Sequence, residues 1–296
     1  DETRMGFVVA RFERVVEIQR LLLDQLSVLE TMTPLDFLDF RDYLVPASGF
    51  QSVQFRLIES TLGLRPDDRA TLADGAAYHT HLQKGEQKTI ADNEAQPSLF
   101  DLVEGWLERI PFLDQEGYDF WQEYKQAVDA MLAGDADIIS NNSLLSDAQR
   151  DAQLKMLEQT RTTILSIIDA KEYAKLQEQG LRRLSHRAMS AALFIELYRD
   201  FPALQLPHKM LRLLVDIDEL FTAWRQRHAI MVHRMIGRKI GTGGSSGHKY
   251  LQAAADKHKV FTDLFDLPTY LVQRSALPTL PEALQNRLRF NYEGTL

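Results

Sequence analysis

Trp224-Arg225-Gln226-Arg227-His228 sets an imidazole one helical turn after an indole, and Met231, Val232 and Met235 continue the same broad face. A histidine on an apolar helical face has two readings. It is a satisfied core residue, or it is an axial ligand to haem iron, which needs one neutral imidazole and an apolar wall for the macrocycle. No HExxH or two-histidine-one-carboxylate spacing surrounds His228 to offer a non-haem alternative. Arg41 is the second candidate. Phe37 lies four residues before it, so an aromatic plane and a guanidinium share a helix face. That pair suits a ligand with a ring and a carboxylate, which arginine grips with a bidentate fork. The other reading of Arg41 is a surface ion pair with Asp39 or Asp42. The third candidate is Gly241-Thr242-Gly243-Gly244-Ser245-Ser246-Gly247, where glycines allow close backbone approach and hydroxyls both donate and accept. It fits neither phosphate-binding glycine motif in spacing or context, and its plainer reading is a flexible connector. His79 and His81 fall in a polar connection. His186, His208, His248 and His258 fall near helix ends, where capping or solvent exposure is expected. No serine-histidine-aspartate or paired-carboxylate arrangement stands out, so no catalytic acid, base or nucleophile is assigned.

The elements that must position these residues are helical. Met5 to Met32 contains no proline, and Val15, Ile18, Leu21, Leu22, Leu26 and Leu29 recur at three- and four-residue steps, predicting one core-facing helix side. Thr33-Pro34 reads as an N-cap and first helical position. That helix runs through Tyr43, and another spans about Gln51 to Leu62. Residues 63–97 read as a long connection or a helical hairpin. Helices restart near Ser98, Tyr118, Ser146 and Ser185, with a surface loop over 135–146. A long helix runs from about Pro207 to Lys239, and further helices cover roughly 248–272, before a tail with few periodic apolar residues. No alternating apolar-polar run marks a strand. The expected fold is all-α, a single-domain helical bundle over residues 1–296.

Composition narrows the classes of function. The 296 residues are 45% hydrophobic and 26% charged, as in ordinary globular chains, and the net charge is -8, against nucleic-acid binding. There is no cysteine, which removes disulfides, zinc-thiolate sites, iron-sulfur clusters and cysteine nucleophiles, and fits a cytoplasmic protein. No run approaches the ~18 apolar residues of a membrane span.

Three stretches together resemble the tryptophan 2,3-dioxygenase family: LETMTPLDFLDFRDYLVPASGFQSVQFRLIE (29–59), WRQRHAIMVHRMIGRKIGTGGSSGHKYL (224–251) and KVFTDLFDLPTYL (259–271). Weaker similarity in LVEGWLERIP and LRRLSHRAMSAALFIELYR extends it over most of the chain. The resemblance implies an all-helical homotetramer that encloses haem b. It implies a reaction in which both atoms of O2 enter across the indole C2=C3 bond of L-tryptophan to give N-formylkynurenine, the opening of the kynurenine pathway. Residue by residue, it makes His228 the haem ligand, the histidine of WRxxH, with Trp224 behind it. Arg41, in FRxYL, would hold the substrate carboxylate, and Phe37 would pack on the indole. Thr242, in GTGGSSG, would contact the substrate ammonium and a haem propionate. Ser48, in PASGF, would lie at the distal haem edge. The family also carries an N-terminal segment with a distal histidine in a THQxYELWFKQ-like motif. No such motif occurs here, so this chain is expected to be truncated relative to the family. Two further readings keep the fold: a haem- or indole-binding protein without turnover, and a dioxygenase for a substituted tryptophan. A helical scaffold without cofactor is the third.

Overall fold

The computed structural model describes residues 4–45, 52–69, 82–113, 118–241 and 247–289, the side chains of 247–250 excepted. Its helices are α1 (Met5–Leu29), α2 (Pro34–Arg41), α3 (Val53–Leu62), α4 (Lys84–Glu94), α5 (Leu99–Glu108), α6 (Phe120–Ser140) and α7 (Asp147–Leu165). They continue with α8 (Ala170–Glu178), α9 (His186–Leu197), α10 (Pro202–Ile236), α11 (Gly247–Lys257), α12 (Thr262–Phe265) and α13 (Glu282–Leu288). No strand occurs among the described residues, and no helix among them is long and apolar enough to cross a membrane. The chain is all-α, as the periodicity predicts. It divides into two compact units, one of Asp1–Val103 with Arg212–Phe261, the other of Glu104–Leu211 with Thr262–Leu296.

In the first unit α1 buries Val9, Val16, Gln19 and Leu26, a stripe at seven- and three-residue steps. Gln19 Nε2 donates to the Ile217 carbonyl at 3.0 Å. This corrects the expected core face. Leu26 is buried, but Val15, Ile18, Leu21, Leu22 and Leu29 are exposed. Periodicity marks an apolar side without saying what covers it, and here the chain's own core takes a neighbouring stripe. Thr33 caps α2 as the sequence predicts. Its hydroxyl accepts from the Asp36 amide, the Asp36 carboxylate accepts from the Thr33 amide, and Pro34 opens the helix. A 3-10 turn, Asp42–Leu44, follows. α3 starts at the Ser52 cap and stops at Gly63, whose φ of 107° is left-handed. A Cβ there would meet Phe100 Cβ at 2.7 Å and Ser98 Oγ at 2.8 Å, so only glycine fits. α4 lies within the stretch read as a connection or hairpin, and its Ile90 packs with Leu82, Val53 and Leu57.

The second unit is built on α9, in which residues 188–195 are all buried. Phe120, Phe194 and Tyr198 stack around it, with Phe120–Phe194 centroids 5.4 Å apart and Phe194–Tyr198 at 4.8 Å. α6 and α7 pack on each other, joined by Arg161–Asp129 at 3.0 Å. α6 runs to Ser140, so the loop expected over 135–146 shrinks to the residues after it. The KVFTDLFDLPTYL stretch (259–271) ties down the segment that leads into α9. Asp263 Oδ2 accepts the Arg183 and Leu184 amides at 2.7 and 2.6 Å, and Arg182 donates to Asp266 at 2.5 Å and to the Tyr270 hydroxyl at 2.7 Å. The tail also holds α13, missed in the sequence because only Leu284 and Leu288 are buried on it.

Candidate functional site

α10 carries His228 within the first unit. It begins at Pro202 rather than Pro207, which sits inside the helix in its second turn and leaves one helical carbonyl without its amide partner. The Trp224 indole stacks on the His228 ring, centroids 5.0 Å apart and planes 16° apart, as their four-residue spacing dictates. Phe55 of α3 lies 5.6 Å from the same indole. His228 is half-buried and has no hydrogen-bond partner among the described residues. Burial holds its pKa below the ordinary histidine value, so the ring is neutral at neutral pH, the form that binds metal. Other histidines are committed. His186 bonds the Ile167 carbonyl at 2.7 Å, and His208 lies 3.5 Å from Glu196.

Arg41 ends α2. Its guanidinium donates to the carbonyl of Ile240, the residue before Gly241, and its Nε is buried without a partner. The alternative of an ion pair with Asp39 or Asp42 is not realised among the described residues. The described structure therefore brings Arg41 against the residue that precedes the glycine segment. Phe37, half-buried one turn earlier, packs edge-on against Phe40, with centroids 5.4 Å apart. Ser48 and Thr242 lie outside the described residues.

Sequence reasoning missed a buried ionic cluster around Arg225, three residues before His228 on α10. Glu59 and His258 are each 1% exposed. Glu59 accepts from Arg56 at 2.6 Å, Arg225 at 2.9 Å and His258 Nδ1 at 2.9 Å. His258 is thus a core residue, not the exposed or capping histidine its place near a helix end suggests. Burial pushes the Glu59 carboxyl up, but the His258 hydrogen bond and the Arg56 and Arg225 charges outweigh that and hold it at about 2. Burial keeps His258 neutral, against the pull of Glu59. Asp218, on α10, accepts the Val260 and Phe261 amides at 2.8 and 2.9 Å. The available signals were Arg56 and Glu59 three residues apart, and Glu59 closing a family-like stretch.

The cluster makes an expected pH signature. Glu59 is held well below its unfolded value of 4.5, so its stabilisation is full above that value and is lost as pH falls through about 2. The Tm deficit of Glu59→Gln is therefore expected to be largest near neutrality and to shrink on acidification. A deficit that stays constant from about pH 6 to about pH 3 contradicts this.

No group of three or more histidine, aspartate or glutamate side chains among the described residues can hold a bare metal ion. A single neutral, uncommitted imidazole backed by a stacked indole suits a metal that brings its own macrocycle. The donor set thus fits a haem. All of this defines an all-helical chain with a lone histidine ligand candidate and an arginine against the residue that precedes the glycine segment. The family model for tryptophan 2,3-dioxygenase matches residues 1–271. A protein of that name from Bdellovibrio bacteriovorus is 50% identical over 291 residues, 98% of this chain and 81% of that one. Relatives of the same name from Alteromonas mediterranea and Dictyostelium discoideum are 44% and 46% identical, over 96% of this chain and 78% and 71% of theirs. The chain belongs to the tryptophan 2,3-dioxygenase family.

Proposed function

We propose that the chain carries out its family's reaction with haem b held at His228. It is an oxidoreductase that takes L-tryptophan and O2 to N-formylkynurenine, a step in tryptophan catabolism. The observation that carries this reading is the half-buried, neutral, uncommitted His228 ring, standing at the histidine of the family's WRxxH motif.

The haem, when bound, supplies the iron chemistry that activates dioxygen. The chain's own residues bind and orient. His228 offers a ring nitrogen, and the Trp224 stack fixes its plane. Arg41 would offer its guanidinium to the substrate carboxylate, while its bond to the Ile240 carbonyl holds the side chain in place. Thr242 takes the ammonium end. Fixing both ends of a zwitterion leaves the indole one orientation, and Phe37 adds an aromatic wall. Orientation of this kind accounts for much of the rate in a reaction between two bound partners. The apolar wall keeps water from the reacting centre. Ser48 would, by the family resemblance, contribute to the distal side of the haem site.

A cytoplasmic homotetramer is part of the same reading. The exposed Val15, Ile18, Leu21, Leu22 and Leu29 of α1 are the kind of contiguous apolar surface that partner copies cover. Turnover under 18O2 tests the chemistry. Both labelled atoms are expected in the product. One labelled atom, with the other from water, rules out dioxygenation.

A further inference from the structure

Three of the four segments that carry expected site residues, all but α2, adjoin or contain an element that holds Glu59 or bonds to it. α3, which holds Glu59 and Arg56, follows the segment containing Ser48. α10 holds Arg225 together with Trp224 and His228. His258 directly follows α11, which starts at Gly247 after the segment containing Thr242. Glu59 Oε2 accepts from Arg56 Nη1, and Oε1 accepts from both Arg225 Nη2 and His258 Nδ1. Arg225 Nη1 also donates to the His258 carbonyl at 2.8 Å. The contacts continue to the imidazole. The Arg225 guanidinium lies 5.7 Å from the Phe55 centroid and 5.4 Å from that of Phe221. Phe55 lies 5.6 Å from Trp224, and Trp224 stacks on His228 at 5.0 Å.

We infer that Glu59 is a positioning residue for the cofactor site: with His258 it locks α3, α10 and α11 in one register and so fixes the Trp224–His228 stack. The inference rests on the haem reading above. A buried carboxylate between two guanidiniums suits this task better than an apolar contact. Apolar surfaces slide, whereas a displaced buried charge loses its partners at once. Outer groups that orient a metal-binding histidine have large effects on metal retention without touching the metal. His258 offers the cleaner handle, because burial keeps it neutral and its replacement leaves the charge balance of Glu59, Arg56 and Arg225 intact.

The test measures haem release from the reconstituted full chain to an apomyoglobin scavenger, well below Tm, with the ferrous iron–imidazole stretching band as second readout. His258→Leu removes the donor, and His258→Asn keeps one at nearly the same place. His258→Leu and Glu59→Gln are expected to speed release by about tenfold or more and to shift or broaden the band. His258→Asn is expected to restore both. Should Glu59→Gln fail to fold, the His258 pair decides alone. A lowered Tm with wild-type release and an unmoved band overturns the positioning role and leaves only a structural one. Wild-type protein that takes up no haem overturns the haem reading itself, and the inference with it.

Discussion

His228→Ala is expected to abolish haem retention. The loss should exceed the roughly 10–100-fold that removal of an outer-shell partner costs, because the side chain removed is the proposed ligand. Among the described residues His186 and His258 are hydrogen-bonded, His208 lies against Glu196, and no multi-residue metal cluster occurs. The variant should still fold. His228 is only half-buried and makes no hydrogen bond within the described residues, so truncation leaves a cavity beside Trp224 and no orphaned polar group. Far-UV circular dichroism should be unchanged. Free imidazole, which fits the cavity, should restore a six-coordinate or five-coordinate haem spectrum. Stoichiometric haem in the variant at wild-type affinity, without imidazole, contradicts the assignment.

Arg41→Ala is expected to weaken L-tryptophan binding by about 10–100-fold, the range of a lost hydrogen bond to a charged group, while haem content stays the same. Part of any loss could come from the bond to the Ile240 carbonyl, which the same substitution removes. Tryptamine separates the two. It has the indole and the amine but no carboxylate, so it should bind the wild type weakly and Arg41→Ala about equally weakly. This ligand-variant cycle isolates the arginine–carboxylate term. Arg41→Lys should recover only part of the affinity, since an ammonium lacks the planar fork. Equal losses for tryptophan and tryptamine contradict a carboxylate role and make Arg41 a brace for the Ile240 segment.

Much of the fold was legible because its signals are local. Thr33-Pro34, Ser146 and Ser185 each announce a helix start, and the structure caps helices at all three. What local pattern does not carry is the partner. The α1 periodicity is genuine, yet the chain's core takes Val9, Val16, Gln19 and Leu26, and leaves Ile18 and Leu21 outside. His228 and Trp224 were legible as a pair because both lie on one helix, four residues apart. Arg41 was legible as a candidate, but its contact with Ile240, 199 residues away, was not. The Glu59 cluster was invisible for the same reason, with Arg225 and His258 lying 166 and 199 residues along the chain. Charged side chains are usually exposed, so nothing in FRLIES marks its glutamate as the most deeply buried acid beside the site.

The central claim is that this chain holds haem through His228 and joins O2 to L-tryptophan. The most direct measurement mixes haem-reconstituted, reduced protein with L-tryptophan without oxygen, then adds a pulse of O2 and follows the haem spectrum and N-formylkynurenine together. The account predicts one N-formylkynurenine per O2 consumed, with the spectrum returning to the ferrous form when the O2 is spent. A haem spectrum that responds to O2 while tryptophan is recovered unchanged would contradict it, and would leave a haem-binding protein without turnover.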